Sequence, residues 1–501
     1  MTLIEDRLER SLRTAGLFAG PALALALYAW NPGAHPEEGR RLLSILALAV
    51  CFWMTEAIPL PATALLASAL AITCGVAPAR SVLAPYADPV IFLFVGSFLL
   101  SGAFQKYGLD RSVAGVMLRL GPVGRSPGGL MAGFGAASAA ISTCLSNTAS
   151  AALMTPIALG AIHDRLPRDL DDAESSARAT PWASGILLMV AYGASVGGMA
   201  TIIGTPPNLL VAGFLERMTG VRVGFVGWIL FGLPIAFVLL VASTLVCRLI
   251  LAGGGVLGSP PARSLSAATI EDRERELGRR WTTLCFALAG ALWMLPATTA
   301  MLLGHDHPGV AGLTAHLPEA GVALLCACLL FVLPVNWRAR RFALSWTEGR
   351  QVNWGIILLF GGGLSLGTMA EATGIARWAG EGIHAMGLSS TPAGLLAVTV
   401  AVSILVSEFA SNTAAATLLV PVAISAAEAS GFNPVPPALA VGLAATCGFI
   451  FPVSTPPNAI VFGTGLLPLP RMIRVGVLLD VTSFFVVWLG LLALDPLLPS
   501  H

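Results

Sequence analysis

Long apolar stretches alternate with short polar connections along almost the whole chain. A transmembrane helix needs about 20 mainly apolar residues. The eleven stretches predicted to span a membrane lie near residues 15–31, 42–58, 60–77, 90–106, 183–214, 225–251, 281–303, 317–336, 352–369, 437–467 and 475–497. This pattern predicts an all-α polytopic membrane protein with about 11 transmembrane helices.

Two further apolar regions, 127–162 and 391–428, are each interrupted in the middle by the polar triplet Ser-Asn-Thr, at residues 146–148 and 411–413. Each region is about 36 residues long, which is too long for one span and too short for two. Irregular backbone at membrane depth is tolerated only where it is buried in protein or lines a cavity. Each region is therefore predicted to form a re-entrant helical hairpin with the triplet at its tip.

A second duplicated motif, Thr-Pro-Pro-Asn, interrupts two of the predicted spans. It lies within residues 204–208 (GTPPN) of the span 183–214 and within residues 454–458 (STPPN) of the span 437–467. Proline removes a backbone hydrogen-bond donor and breaks a helix. Each of these two spans is therefore predicted to consist of two half-helices with an unwound centre.

The two copies of the triplet are 411 − 146 = 265 residues apart, which indicates an internal repeat. The repeats are predicted over residues 42–251 and 281–501, after an N-terminal segment, 1–41, that holds the first transmembrane helix. A linker, 252–280, joins them, and its charged end is predicted to lead to a short cytoplasmic amphipathic helix. An odd number of spans in each repeat would make the two copies inverted in the membrane.

Composition and charge support a membrane protein of fixed orientation. Hydrophobic residues make up 56% of the chain and charged residues only 11%, with a net charge of +1, so no strong field would attract nucleic acid. Arginines are concentrated in alternate loops, which by the positive-inside rule predicts a cytoplasmic N-terminus. The expected location is the cell (inner) membrane. An enzyme is not expected, because neither H-E-x-x-H nor a P-loop occurs and no histidine lies near either triplet.

The two motifs offer neutral ligands for ions of both signs. Hydroxyl and carbonyl oxygens suit hard cations, and the N-termini of half-helices suit anions. No Lys, Arg or His lies within residues 141–156 or 407–421, so bound cations are the natural positive partners of an anion there. The competing interpretation is that the motifs are only helix caps and Pro kinks kept after gene duplication. Duplication of both motifs inside apolar repeats favours a binding site.

Glu408 is an acidic residue in an apolar region, three residues before the second triplet. Intramembrane acids are functional hypotheses by default, so Glu408 could tune a cation or a proton. It could also accept a hydrogen bond from a backbone N–H group of the hairpin, and this structural role is the favoured one. Asp480 has no motif around it and receives no predicted role.

Four segments resemble signatures of the divalent anion/sodium symporters, a family that carries citrate, dicarboxylates and sulfate. They are WMTEAIPLPATALL (53–66), WGIILLFGGGLSLG (354–367), SNTAAATLLVPV (411–422) and FPVSTPPNAIVFGTG (451–465). The resemblance extends over nearly the whole chain. It implies a homodimer in the lipid bilayer, with a scaffold domain and a transport domain that moves like an elevator and carries both hairpins and both broken helices.

The resemblance also implies the ligands of two Na⁺ ions and of one small dianion. The implied Na⁺ ligands are Ser142, Ser146, Asn147 and Gly204 for one ion, and Ser407, Ala410, Asn412 and Ser454 for the other. The residues implied to contact the dianion or shape its pocket are Asn147, Thr148, Thr205, Pro206, Asn412, Thr413, Thr455 and Pro456.

The predicted function is secondary active import of a divalent organic anion, a C4-dicarboxylate or citrate, coupled to Na⁺. An anion exchanger that does not need Na⁺, or a sulfate carrier on the same fold, remains an alternative. A passive anion channel is a further alternative from a different functional class.

Overall fold

The computed structural model describes residues 3–33, 35–119, 126–163, 180–251, 273–304, 307–385 and 390–498, and almost all of its regular structure is helical. Its α-helices in chain order are α1 (Leu3–Trp30), α2 (Glu37–Thr55), α3 (Leu60–Thr73), α4 (Ala79–Leu83), α5 (Pro89–Lys106), α6 (Leu109–Arg119), α7 (Pro127–Ser142), α8 (Asn147–His163), α9 (Pro181–Met199), α10 (Pro206–Thr219), α11 (Phe225–Leu251), α12 (Arg273–Leu303), α13 (Pro308–His316), α14 (Glu319–Val332), α15 (Trp346–Gly349), α16 (Trp354–Ala372), α17 (Ile375–Ala385), α18 (Pro392–Phe409), α19 (Asn412–Ala429), α20 (Val435–Ala444), α21 (Pro456–Phe462) and α22 (Leu469–Leu494). Two short strands, β1 (Pro334–Asn336) and β2 (Arg341–Phe342), pair antiparallel.

Among the described residues, eight helices are long and apolar enough to cross a membrane, or nine if the bent pair α13 and α14 counts as one span. The all-α polytopic membrane fold is confirmed, and this count of candidate spans is lower than the predicted number of about eleven. One reason is that two predicted spans, 60–77 and 317–336, contain helices of only 14 residues, α3 and α14. Helices this short cross a full bilayer only if other structure completes the crossing.

The charged end of the linker belongs to a transmembrane helix. The sequence predicted a separate short amphipathic helix before a span at 281–303. In the structure, α12 runs without a break from Arg273 to Leu303, so residues 273–280 are the first turns of the same helix. Residues 252–272 lie outside the described residues.

The helices pack into a continuous core in which two groups of neighbouring helices can be distinguished. In one group, α1 packs on α2, α3 on α16, and α14 on α5 and α12. In the other, α9 is surrounded by α7, α8, α11 and α21, while α19 packs on α10 and α20. Every residue of α9 after Pro181 is buried, whereas most of the apolar part of α12 is not buried within the chain, as expected for a helix that faces lipid or a partner.

Short helices connect the two groups at equivalent positions in the two repeats. Helix α6 follows α5 and packs on α7, and α17 follows α16 and packs on α19. Helices α6 and α17 therefore occupy equivalent places in the two repeats. They link the group built around α5 and α16 to the group that holds both triplets.

The hairpin helices begin with the same cap in both repeats. Ser126 accepts a hydrogen bond from Gly129 N at 3.1 Å, and Thr391 accepts one from Gly394 N at 3.0 Å. A proline follows each cap at the first helical position, where its missing N–H is not needed. The offset, 391 − 126 = 265 residues, equals that of the triplets. Helix α7 packs on α8, and α18 packs on α19. The break between the two helices of each pair lies at the triplet.

Three G-x-S-x-G sequences occur in the chain. The one at 124–128 supplies Ser126, the cap of α7, whereas those at 193–197 and 363–367 lie inside α9 and α16. The hydrolase motif of this form requires an exposed serine on a sharp turn from strand to helix. Both serines, Ser195 and Ser365, are instead buried within helices, so neither sequence forms a nucleophile elbow.

Candidate functional site

The first triplet and the first broken helix meet at Gly198. The Ser142 hydroxyl donates a hydrogen bond to Asn147 Oδ1 at 2.9 Å, joining the two helices of the hairpin. A Cβ atom on Gly198 would collide with the same Asn147 oxygen, and a Cβ atom on Gly204 would collide with the Gly198 carbonyl. Ser142, Asn147, Gly198 and Gly204 therefore form one tightly packed cluster.

The second triplet and the second broken helix repeat this arrangement around Gly448. The Ser407 hydroxyl lies 3.1 Å from Asn412 Oδ1 and also approaches the Ala445 carbonyl. A Cβ atom on Gly448 would lie 3.1 Å from Ser454 Cβ and 3.4 Å from Ser407 Oγ. For each ion, three of the four implied residues therefore lie in one cluster. They are Ser142, Asn147 and Gly204 for the first ion, and Ser407, Ser454 and, through its contact with Ser407, Asn412 for the second.

The remaining predicted residues lie close to these clusters but differ in exposure. Ser146 and Ser411 cap the helices that follow them, accepting from Ala149 N at 3.3 Å and Ala414 N at 3.2 Å. Ala410 is buried, with extended backbone at the end of α18. Thr205 and Thr455 are the buried N-caps of α10 and α21. Of the others, the exposed residues are Thr148 and Pro456, and the half-buried ones are Pro206, Asn412 and Thr413.

The two repeats interlock through their half-helices. Helix α21 of the second broken helix packs on α8 of the first hairpin, and α10 of the first broken helix packs on α19 of the second hairpin. Helices α8, α10 and α19 all begin at the duplicated motifs. The positive dipole ends of these helices therefore lie beside the two clusters, which is an arrangement suited to an anion.

Glu408 is a structural acceptor, but not for its own hairpin. Its carboxylate accepts hydrogen bonds from Ile450 N at 3.0 Å and Phe451 N at 3.3 Å, and from the Ser454 hydroxyl. The predicted partner, a hairpin N–H group, was therefore wrong, since these donors belong to the unwound centre of the second broken helix. The side chain is only 2% exposed.

The equivalent position in the first repeat, 408 − 265 = 143, holds a neutral residue, Thr143. There, the Thr201 hydroxyl donates to the Thr143 carbonyl at 2.6 Å. A carboxylate thus holds the second unwound centre, and a backbone carbonyl holds the first. The two clusters share their geometry but differ in local charge.

Sequence reasoning missed three buried residues near the clusters. Asn208 and Asn458, the last residues of the Thr-Pro-Pro-Asn motifs, are completely buried and bind the unwound centres. Their duplication was a usable signal. Asp480 on α22 is 7% exposed and approaches Glu408. No motif surrounds Asp480, and only the packing of α22 reveals its position.

A cavity of about 520 Å³ leads to the first triplet. Its walls come from α5, from the segment of α15 and α16, and from Ser146 at the hairpin tip. The Ser101 hydroxyl on α5 donates to the Cys144 carbonyl at 2.9 Å, so this wall contacts the hairpin directly. The cavity is large enough for a small dianion.

Lys106, the lone lysine of the chain, lies in the cavity wall. Its ammonium group is 2.8 Å from a Glu348 oxygen and donates to the Ala343 carbonyl at 3.0 Å. Burial raises the pKa of Glu348, but hydrogen bonds from Lys106 and Ser345 outweigh it and hold that pKa below its ordinary value. The ion pair therefore persists at neutral pH and is lost only as the pH falls through the lowered value.

Comparison with known proteins gives consistent matches over most of the chain. A family model described as the sodium:sulfate symporter transmembrane region matches residues 22–496. A protein of Staphylococcus saprophyticus named sodium-dependent dicarboxylate transporter SdcS is 31% identical over 488 residues, covering 96% of this chain and 91% of that protein. The protein of the same name from Staphylococcus aureus is 30% identical over 480 residues, covering 94% and 89%.

A solved structure shares the fold at low sequence identity. The YdaH transporter of Alcanivorax borkumensis superposes with a TM-score of 0.55 at 16% identity, covering 84% of this chain and 89% of that one. At this identity the likeness concerns the fold alone, and it supports an all-helical membrane architecture.

Proposed function

Because this chain belongs to the sodium:sulfate symporter family, we propose that it is a secondary active transporter that imports a C4-dicarboxylate or citrate together with Na⁺. The names of its curated relatives support both the sodium ion and the dicarboxylate. The observation that carries the proposal is the duplicated hydrogen bond between a hairpin serine and the triplet asparagine, Ser142 to Asn147 and Ser407 to Asn412.

Each cluster has the chemistry of a Na⁺ site. Hard cations take oxygen ligands from hydroxyl, amide and backbone carbonyl groups. In the first cluster these oxygens come from Ser142, Ser146, Asn147 and the backbone at Gly204. In the second cluster they come from Ser407, Asn412 and the backbone at Ala410 and Ser454. The serine hydroxyl can turn its proton away when the ion arrives, so both oxygens of the pair become ligands.

The dianion would lie between the two clusters. Its carboxylates would accept hydrogen bonds from the amide groups of Asn147 and Asn412 and from the hydroxyls of Thr148 and Thr413. Thr205, Pro206, Thr455 and Pro456 would shape the pocket from the half-helices. With no basic side chain in either triplet segment, the two bound Na⁺ ions supply the positive charge that lowers the cost of desolvating the dianion.

The two packing groups support an elevator movement. The group built around α9 and α19 holds both clusters, and α6 and α17 connect it to the group built around α5 and α16. We propose that the first group moves as a body against the second, which holds a homodimer together. The protein would lie in the cell (inner) membrane with its N-terminus in the cytoplasm, and the cavity at Lys106 would open on that side.

Uptake by purified protein in proteoliposomes tests this function. Labelled succinate should accumulate only with an inward Na⁺ gradient, and unlabelled citrate or malate should compete. Uptake that requires internal anion but ignores Na⁺ would indicate an exchanger instead. Flux that follows voltage alone would indicate a channel, and preferential competition by sulfate would indicate a sulfate carrier.

A further inference from the structure

Asn208 holds the unwound centre of the first broken helix. Its side-chain Nδ2 donates to the Gly198 carbonyl at 2.9 Å and to the Thr201 carbonyl at 2.8 Å. The Gly198 carbonyl belongs to the last turn of α9, and the Thr201 carbonyl lies just after the end of that helix. The asparagine itself lies in the first turn of α10, so one amide group bridges the two half-helices.

Asn458 makes the same two bonds in the second repeat. Its Nδ2 donates to the Gly448 carbonyl at 3.0 Å and to the Phe451 carbonyl at 3.0 Å. All three positions correspond at one offset, since 458 − 208, 448 − 198 and 451 − 201 each equal 250. Two copies of the chain segment, with largely different neighbouring residues, have thus kept one hydrogen-bond pattern.

Both amides are oriented by their surroundings and leave one atom without a partner. Each faces two carbonyl oxygens, which only an NH₂ group can satisfy. The Oδ1 atoms of Asn208 and Asn458 are consequently buried without a hydrogen-bond partner in the described part of the chain. An unpaired buried acceptor destabilises a protein and calls for an explanation. Here the same loss of stability occurs once in each repeat.

The carbonyls that these amides hold belong to the glycines at the centre of the two clusters. Gly198 touches Asn147 and Gly204, and Gly448 touches Ser407 and Ser454. Outer groups that fix the orientation of ligands tune the affinity of metal sites. The two asparagines are therefore placed to set the position of the backbone against which the ion ligands pack, without contacting the dianion.

We propose that Asn208 and Asn458 are positioning residues for Na⁺ binding, and that each acts on the cluster of its own repeat. This inference rests on the proposed Na⁺-coupled transport and adds to it a division of labour between the repeats. A purely structural role would predict a loss of stability with no change in the Na⁺ dependence of uptake.

The test is the Na⁺ dependence of succinate uptake in proteoliposomes by the Asn208→Ala and Asn458→Ala variants. Each should raise the Na⁺ concentration for half-maximal uptake about tenfold, as expected for the loss of two hydrogen bonds that position the ligands. The succinate KM at saturating Na⁺ should change less than about twofold. Thr282→Ala, which removes a buried hydroxyl-to-carbonyl bond in α12, is the matched control and should leave both values unchanged.

If the alanine substitutions prevent folding, the Na⁺ dependence can be measured with Asn208→Ser and Asn458→Ser, because a serine hydroxyl retains one hydrogen-bond donor. They should shift the Na⁺ dependence in the same direction by a smaller factor. A folded variant of either asparagine with wild-type Na⁺ dependence would overturn the proposal. If the wild-type protein itself shows no Na⁺-driven uptake, the proposed transport function fails before the variants are compared.

Double variants test the division between repeats. Asn208→Ala combined with Ser142→Ala alters one cluster twice, so the two shifts should not add. Asn208→Ala combined with Ser407→Ala alters both clusters, and the shifts should add in free energy. Additive behaviour in both combinations would contradict the assignment of each asparagine to its own site.

Discussion

The Ser142 hydroxyl donates a hydrogen bond to Asn147 Oδ1 across the tip of the first hairpin, at 2.9 Å. The bond joins the last residue of one helix to the first residue of the next, at the point where the backbone is irregular. Its counterpart in the second repeat joins Ser407 and Asn412 at 3.1 Å. Each pair presents two oxygens side by side, which is what a small cation requires.

Ser142→Ala and Ser407→Ala should each weaken Na⁺ binding. Loss of one hydroxyl ligand should raise the Na⁺ concentration for half-maximal uptake by roughly tenfold, since an interaction with a charged partner contributes about 1.5–3 kcal/mol. Ser138→Ala is the control, because that buried serine lies one turn earlier on α7 and donates only to the Val190 carbonyl. Equal shifts in all three variants would speak against ion sites at these serines.

Asn147→Ala and Asn412→Ala should abolish succinate uptake while the protein remains folded. Each asparagine is proposed to serve both an ion and the dianion, so its loss removes two interactions at once. Uptake in proteoliposomes measures the effect, and elution on size exclusion together with thermal unfolding reports the folded state. Wild-type uptake rates in both variants would refute the site.

Glu408→Gln should impair the second cluster selectively. The carboxylate accepts hydrogen bonds from Ile450 N, Phe451 N and the Ser454 hydroxyl, and a glutamine amide would direct NH₂ toward at least one of these donors. We expect a lower midpoint of thermal unfolding and a raised Na⁺ requirement. Glu319→Gln is the control, since Glu319 accepts from Phe225 N outside both clusters. A Na⁺ requirement that rises equally in both variants would contradict this assignment.

Lys106 allows a labelling test of the cavity, because it is the only lysine in the chain. A membrane-impermeant amine reagent should modify it from the cytoplasmic side of oriented vesicles and not from the outside. Peptide mass analysis separates Lys106 from the N-terminal amine, and Lys106→Arg keeps the charge while removing the reactive group. Modification from the outside would show that the proposed orientation is wrong.

The positions of the helix breaks could be predicted from the sequence, but the partners of the buried polar residues could not. The breaks at 143–146 and 410–411 lie where polar triplets interrupt apolar runs, and such a signal is local. Glu408 binds backbone 42 and 43 residues away, a pairing that depends on how α18 meets the unwound centre. Asp480 approaches Glu408 only because α22 packs on α18 and α20.

The predicted spans and the candidate spans of the structure differ in number for a physical reason. Apolar composition cannot distinguish residues in a helix from apolar residues in the connections beside it. The predicted span 317–336 includes the whole of β1, and its helix α14 ends at Val332. Asn208 and Asn458 belong to a duplicated motif that the sequence shows directly. Their role could not be predicted, because they bind carbonyl groups seven and ten residues earlier that only the folded backbone brings into reach.

The most direct test of the two-repeat site is an experimental map of the protein prepared with Na⁺ and succinate. The account predicts succinate density between residues 146–148 and 411–413, with one ion beside Ser142 and another beside Ser407. Succinate bound elsewhere, with both triplets facing lipid or far apart, would contradict it.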